Sequence, residues 1–426
     1  MKPVAYNERS DWRITIWRLA RLTSSVTGFA LRGNSVISRD AKSVCFITET
    51  LGFGGTEAHT IEVIRSLLDR GHQVTLLCCN HNVYEDRLAA EIREAKLTLW
   101  HTDLKVNIER WDDIRRWNEL LQKVTSDVLI LPKGGNNVGN LNFVLCCRKF
   151  FGKIYWIEHL EAEARQPLRL ASLPKLKDVH GWLVKRLRSL NADRIIAVSE
   201  LVGRRLTRDR AYPPDKVVVI PNGVTWQNYK RDEKRGTAFR HRHAIPHGAF
   251  VFGMMTRLSE EKGIDVALTA FDHLVRAHPS RAIRLAIAGT GPIEERLKEQ
   301  TRSLGLQEVV FFLGFERDSA AVLSGYDAIL LPSRAEGLPL ALLEGMAAGC
   351  IPIVSRIGGM PEAVNSRDIG WVVPPDDSGA LSAAMHDLLT QSDLDMRRAR
   401  QRVAQRVRDT FDIKRCHQRI LETCGL

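Results

Sequence analysis

An α/β fold with two doubly wound parallel sheets is what this sequence predicts, and three observations carry the prediction. Short apolar strands alternate with amphipathic helices along nearly the whole chain. The alternation stops at one polar, charged stretch, Asn222 to Arg235, and then restarts. Finally, 426 residues are long for one core and comfortable for two. Hydrophobic content of 44% and charged content of 26% are ordinary for a globular protein. The longest apolar runs, such as Val217–Ile220 and Val128–Leu131, have strand length and fall far short of a membrane span.

Taken in order, residues 1–42 form a basic extension in which Trp12, Ile16, Leu19 and Leu22 accompany Arg13, Arg18 and Arg21. The arginines rule out a secretory signal. The pattern suits an amphipathic helix lying on an anionic membrane surface, and equally a tail that is loose or packed on the domain. Residues 43–228 are the first Rossmann-like domain. Val44–Thr48 reads as a strand, Leu51–Gly55 as a Gly-rich loop and Thr56–Arg70 as a helix with Ile61, Ile64 and Leu68 on one face. Gly71 ends that helix, and Val74–Cys78 is the next strand. Asp127–Leu131, Lys153–Ile157, Arg194–Val198 and Val217–Pro221 follow. Asn222 to Arg235 reads as the linker. Residues 229–410 are the second domain, with strands Phe250–Met255, Arg284–Ala288, Val309–Leu313, Ala328–Leu331, Ile351–Val354 and Trp371–Val373. Residues 411–426 are expected to make a helix that packs back on the first domain.

The net charge is +12, and the stretch from Arg165 to Arg210 carries twelve Lys/Arg against four Asp/Glu. Anionic lipid, an anionic acceptor or plain solvent suits such a surface. Nucleic acid fits poorly, because no aromatic platform or binding motif accompanies the charge. The eight cysteines include no Cys-x-x-Cys, so no zinc spacing follows; their strand-like surroundings predict reduced, buried thiols and a cytoplasmic protein.

The most informative stretch is Leu330-Leu331-Pro332-Ser333-Arg334-Ala335-Glu336-Gly337-Leu338-Pro339-Leu340-Ala341-Leu342-Leu343-Glu344. A buried strand leads into a helix from Leu340, with Pro339 suiting its first turn. Glu336 then lies on the strand-to-helix loop and Glu344 on an inner helix face. Ligands bind at strand carboxyl ends in open parallel sheets, and a helix N-terminus offers free N–H groups to an anion. Carboxylates for hydroxyls beside amides for phosphate suit a nucleotide-sugar. Arg257 and Lys262 follow the second domain's first strand; a guanidinium fork and an ammonium suit a pyrophosphate, although pairing with Glu260 and Glu261 on the surface is the plainer alternative. Gly289-Thr290-Gly291-Pro292 lets backbone approach a ligand, or simply turns the chain. Gly54-Gly55 prepares a helix N-terminus in the first domain, or merely turns the chain, and His159, after Lys153–Ile157, is placed to reach sugar oxygens unless it is a structural histidine. Asp393-Leu394-Asp395 has a metal-binding form, but its polar surroundings read as surface.

Gly54-Gly55-Thr56-Glu57, Gly71-His72-Gln73-Val74, Val198-Ser199, Pro221-Asn222-Gly223-Val224, Arg257…Lys262-Gly263, Gly289-Thr290-Gly291-Pro292, the Glu336/Glu344 pair and Gly358-Gly359-Met360-Pro361-Glu362 occur in this order. Jointly, over about residues 43–392, they resemble glycosyltransferase family 4, the retaining enzymes of GT-B fold, whose two Rossmann-like domains face a central cleft. The resemblance implies that Arg257 and Lys262 bind the donor diphosphate. Glu336 would hold hydroxyls of the transferred sugar near the amides of Gly337, Leu338 and Leu340, and Glu344 would hold the ribose. Gly55 would admit phosphate or acceptor, Gly289 and Gly291 would line the donor site, and His159 would lie beside the sugar. Two departures stand out: Gly349-Cys350-Ile351-Pro352 is one residue longer than the usual Gly-x-Pro, and the usual glycine before Arg257 is displaced.

The resemblance implies transfer of a hexosyl group from a nucleoside diphosphate sugar to a glycan or lipid-linked acceptor in envelope polysaccharide or glycolipid assembly. No metal or other cofactor is expected, and the place of action is the cytoplasm or the inner face of its membrane. A nicotinamide-dependent oxidoreductase is disfavoured: Gly52-Phe53-Gly54-Gly55-Thr56-Glu57 is not Gly-x-Gly-x-x-Gly, and no acid ends the second strand, Cys78-Cys79-Asn80. A non-catalytic nucleotide-sugar-binding or membrane scaffold is the other alternative; the joint presence of Arg257, Lys262, Glu336 and Glu344 speaks against it.

Overall fold

The computed structural model describes residues 41–50, 54–80, 83–94, 96–124, 126–133, 139–159, 176–208 and 212–426. The N-terminal extension, save its last two residues, lies outside the described residues, as do Leu51 to Phe53 of the Gly-rich loop and part of the basic stretch. By contacts the chain forms two compact units, one of residues 1–131 with 142–153 and the other of 132–141 with 154–426.

The first sheet has seven strands: β1 Ser43–Thr50, β2 Gln73–Asn80, β3 Leu97–Thr102, β4 Val128–Lys133, β5 Lys153–Glu158, β6 Arg194–Ala197 and β7 Val217–Val219. Their order is β3-β2-β1-β4-β5-β6-β7. The pairings of β1 with β2 and β4, β2 with β3, β5 with β6 and β6 with β7 are parallel. The second sheet holds β8 Phe250–Met255, β9 Ile283–Ala288, β10 Val310–Gly314, β11 Ala328–Leu331, β12 Ile351–Ser355 and β13 Trp371–Val373. All its pairings are parallel, in the order β10-β9-β8-β11-β12-β13. Helices join successive strands, as a doubly wound fold requires. Phe252, Met254, Leu285, Ile287, Leu330 and Ile353 form the second core with Ile264, Leu268, Phe271 and Leu274 of the helix Ile264–Ala277.

Several expectations need correction. The alternation does not announce β3, an edge strand in which only Leu97 is fully buried. The supposed linker is partly helical: Trp226–Tyr229 makes a 3-10 turn, and Asp232 caps a helix Glu233–Arg242 by accepting from the Arg235 N–H at 3.0 Å. β7 stops at Val219 instead of Pro221, whose missing N–H ends pairing. Pro339 is the N-cap, extended at φ −68° and ψ 131°, and not a first-turn residue, while the helix Leu340–Ala347 starts at Leu340 as expected.

The last helix, Ile413–Cys424, packs against β6 and buries Cys416, Ile420, Leu421 and Cys424. Val224 bridges its start: the Val224 N–H donates to the Phe411 carbonyl at 2.9 Å, and the Ile413 N–H donates back at 3.2 Å. The Trp226 indole donates to Asp412 at 3.0 Å.

Candidate active site

Two loops at the carboxyl edge of the second sheet build the site. After β8 the chain runs through Thr256, Arg257 and the buried Leu258 into a 3-10 turn, Glu260–Lys262. After β11 it runs through Ser333 and Glu336 to the helix Leu340–Ala347. Arg334 ties the two loops together, a role the sequence reading missed. Its guanidinium meets Asp265 at 2.9 and 2.7 Å and Asp376 at 2.6 Å, while its N–H donates to the Glu261 carbonyl at 2.7 Å.

Lys262 does not pair with its neighbours in sequence. Glu260 pairs with Arg296 at 2.6 Å, and Glu261 accepts from the Ser259 hydroxyl at 2.6 Å. Lys262 instead crosses to the other loop, where its Nζ lies 2.7 Å from Glu336 Oε1. Glu336 is 6% exposed and also accepts from the Ser333 hydroxyl at 3.1 Å. An ammonium and a carboxylate thus share a nearly dry position at a sheet mouth. Arg257 is exposed on the same loop as Lys262. Burial alone would raise the Glu261 carboxyl, but the Ser259 hydroxyl and the charges of Lys262 and Arg257 hold it below its ordinary value.

Gly337 must be glycine because a Cβ there would collide with the carbonyl oxygen of His159. That contact places His159 beside the Glu336 loop. The His159 N–H donates to the Lys133 carbonyl at 3.0 Å, and burial pushes the imidazole down to about 4, leaving it neutral at physiological pH. Leu338 is buried, and its carbonyl accepts from Asn222 at 2.7 Å; the sequence reading quoted Asn222 in a motif but gave it no role. The Gly359 N–H donates to the Gly337 carbonyl. Nearby, the Glu362 carboxylate accepts from the Glu200 and Leu201 N–H groups at 2.9 and 3.0 Å, at the start of the helix Glu200–Arg208.

Glu344 sits one turn into its helix, partly open to solvent yet deep among protein atoms. Burial pushes its carboxyl up to about 7, and a hydrogen bond from Tyr229 offsets part of the rise. Leu340 opens the same helix and is half-buried. Gly289 and Gly291 face protein: a Cβ on either would strike the Thr256 or Leu258 carbonyl, so they hold the Arg257 loop in place. Gly55 belongs to the other compact unit, where it opens the helix Gly55–Leu68 with nothing near its Cβ direction. Asp393 and Asp395 are exposed in the first turn of the helix Asp393–Thr410. Among the described residues no group of three or more His, Cys, Asp or Glu has metal-binding geometry.

Behind His159 lies a buried ionic network that the sequence reading did not find. Lys133, 2% exposed at the end of β4, stands 3.6 Å from Glu158 and 3.2 Å from the Trp156 ring centroid. The Tyr212 hydroxyl donates to Glu158 at 3.3 Å and accepts from Arg188 at 3.1 Å. The only trace in the sequence was a lysine ending an apolar strand.

The sequence model described as Glycosyl transferases group 1 matches residues 237–408, and that described as Glycosyltransferase Family 4 matches residues 53–226. Among curated proteins, a putative colanic acid biosynthesis glycosyltransferase, WcaL of Salmonella typhimurium, is 34% identical over 230 residues, covering 50% of this chain and 52% of its own length. Glycogen synthase of Mycobacterium tuberculosis is 32% identical over 242 residues, covering 55% of this chain and 53% of its own. The chain thus spans about half the length of the curated relatives it matches. Among solved structures, a glycosyltransferase from Rickettsia africae superposes with a TM-score of 0.71 at 19% identity, over 90% of this chain and 97% of that one. Anabaena Alr3699/HepE, solved in complex with UDP and glucose, gives 0.70 at 17% identity, over 90% and 99%. The fold is that of the GT-B glycosyltransferases. With both halves matched, the chain belongs to the group 1, family 4 glycosyltransferases. This membership sets the oxidoreductase alternative aside.

Proposed function

We propose that the protein is a retaining glycosyltransferase that moves a hexosyl group from a nucleoside diphosphate sugar to an acceptor hydroxyl in polysaccharide or glycolipid assembly. The observation that carries this reading is the 2.7 Å pair of Lys262 with the nearly buried Glu336. A diphosphate is the natural competitor for that ammonium. On its arrival Lys262 turns to phosphate oxygens and Arg257 adds a second charge, while the released Glu336 carboxylate accepts from sugar hydroxyls. Glu344 accepts from the ribose, and the amides of Gly337, Leu338 and Leu340 face the donor. The anomeric C–O bond to the diphosphate breaks, and the acceptor oxygen bonds to that carbon on the same face. The acceptor proton passes to the departing phosphate oxygen. Lys262 and Arg257 stabilise the charge that builds on the leaving group. Neutral His159 supplies a hydrogen bond to the sugar.

The relatives named for colanic acid biosynthesis, and the neighbour solved with UDP and glucose, support a nucleotide-sugar donor and a glycan acceptor. The donor base and sugar are to be found by thermal shift with a panel of nucleoside diphosphates and their sugars. With that donor, Lys262→Ala should weaken diphosphate binding and lower transfer by about a hundredfold or more. Glu336→Gln should lower turnover while nucleoside diphosphate binding is largely kept. Full activity in the Lys262→Ala protein would overturn the assignment.

A further inference from the structure

Of the eight large apolar side chains exposed among the described residues, four share one helix and four lie apart, at Trp111, Leu145, Phe315 and Leu394. Trp182, Leu183, Leu187 and Leu190 are 53, 47, 41 and 44% exposed, and all four belong to one helix, Leu176–Leu190. At the α-helical turn angle they sweep a single arc of about 140°. Arg186 falls inside that arc and Lys185 beside it, and the stretch 182–190 contains no acidic residue. The opposite side of the helix is anchored. Arg188 donates to the Gly139 carbonyl at 2.9 Å and the Tyr212 hydroxyl at 3.1 Å, and lies over the Trp156 ring. The apolar arc is therefore held outward by a fixed inner face.

A contiguous exposed apolar face marks a contact surface. Its charge selects the partner. Cations lie within and beside the apolar arc, inside a chain segment with twelve Lys/Arg against four Asp/Glu. Tryptophan and leucine interleaved with Lys and Arg form the composition of helices that lie in an anionic bilayer interface, with the indole at the headgroup level and long basic stems reaching the phosphates. We infer that the 182–190 face docks on an anionic lipid bilayer. Trp182, Leu183, Leu187 and Leu190 enter the headgroup–acyl boundary while Lys185 and Arg186 meet lipid phosphates. This contact needs no donor and no chemical step, so it stands or falls apart from the transfer reaction.

The test is flotation of the full chain with vesicles of phosphatidylcholine alone and of phosphatidylcholine with about a third phosphatidylglycerol. The protein should float with the anionic vesicles, less so in high salt, and hardly at all with the neutral ones. The double variant Trp182→Ser, Leu187→Ser should keep its unfolding temperature and lose about tenfold or more in partitioning. Lys185→Gln with Arg186→Gln should lower binding to anionic vesicles only. No flotation of the native protein would overturn the proposal. So would native flotation by the Ser variant, which would place the membrane contact on another segment. Native protein that self-associates through this face without binding vesicles would make the occupant a second copy and equally overturn it.

Discussion

Glu344 shows how one side chain sets a pH dependence. Its carboxyl is raised from 4.5 to about 7 by burial, so the folded protein holds this proton more tightly than the unfolded chain does. Stability from this group is full below pH about 4.5 and is lost as the pH rises through about 7, a change of at most about 3 kcal/mol. Glu344→Gln should therefore raise the unfolding midpoint at pH 8 and leave it unchanged at pH 5. Equal stabilisation at both values would assign the effect to something other than the charge. The same variant should bind nucleoside diphosphate more weakly at pH 8, because an amide accepts fewer ribose hydroxyls. At this scale the sequence shows which residues matter but not whom they meet. Glu336 and Lys262 stand out through their strand-to-helix settings; their mutual contact spans 74 positions and depends on how β8 and β11 lie side by side.

Secondary-structure elements position these groups through backbone contacts that tolerate no extra atom. Gly337→Ala would drive a methyl group into the His159 carbonyl. Transfer should fall by about a hundredfold or more while far-ultraviolet circular dichroism stays native, as expected for a displacement near 1 Å in a reacting site. The pair of β4 and β5 ends makes the opposite kind of demand, since charge there is buried. Lys133→Met alone would strand the Glu158 carboxylate and should cost about 3–5 kcal/mol, whereas Lys133→Met with Glu158→Leu should recover most of it in a denaturation series. The strands of the second sheet were legible nearly to the residue, Ala328–Leu331 and Trp371–Val373 without error. Strands covered on both faces read as unbroken apolar runs. β3 was not legible, because an edge strand with one fully buried side chain lacks that signal. The buried network was hidden for another reason: its members, Lys133, Glu158, Arg188 and Tyr212, belong to separate segments that only the folded sheet brings together.

Across the whole molecule, contacts group residues 154–426 and 132–141 as one unit, for reasons that individual residues supply. Within that unit Asn222 holds Leu338, Glu362 holds the start of the helix Glu200–Arg208, and the last helix lies on β6. Sequence alternation records strands and helices but not these long-range ties, so it draws its boundaries at composition changes instead. Deleting residues 412–426 would uncover the surface now facing Ile420 and Leu421 and break the Val224 bridge. Thermal unfolding of the shortened chain should show a loss on the order of 5 kcal/mol, with aggregation on heating. All eight cysteines are free and buried, which has a practical corollary. A thiol introduced at an outward position such as Phe315 would be the single one that a maleimide dye reaches, so site-selective spectroscopic labels can be attached without first removing any native sulfur.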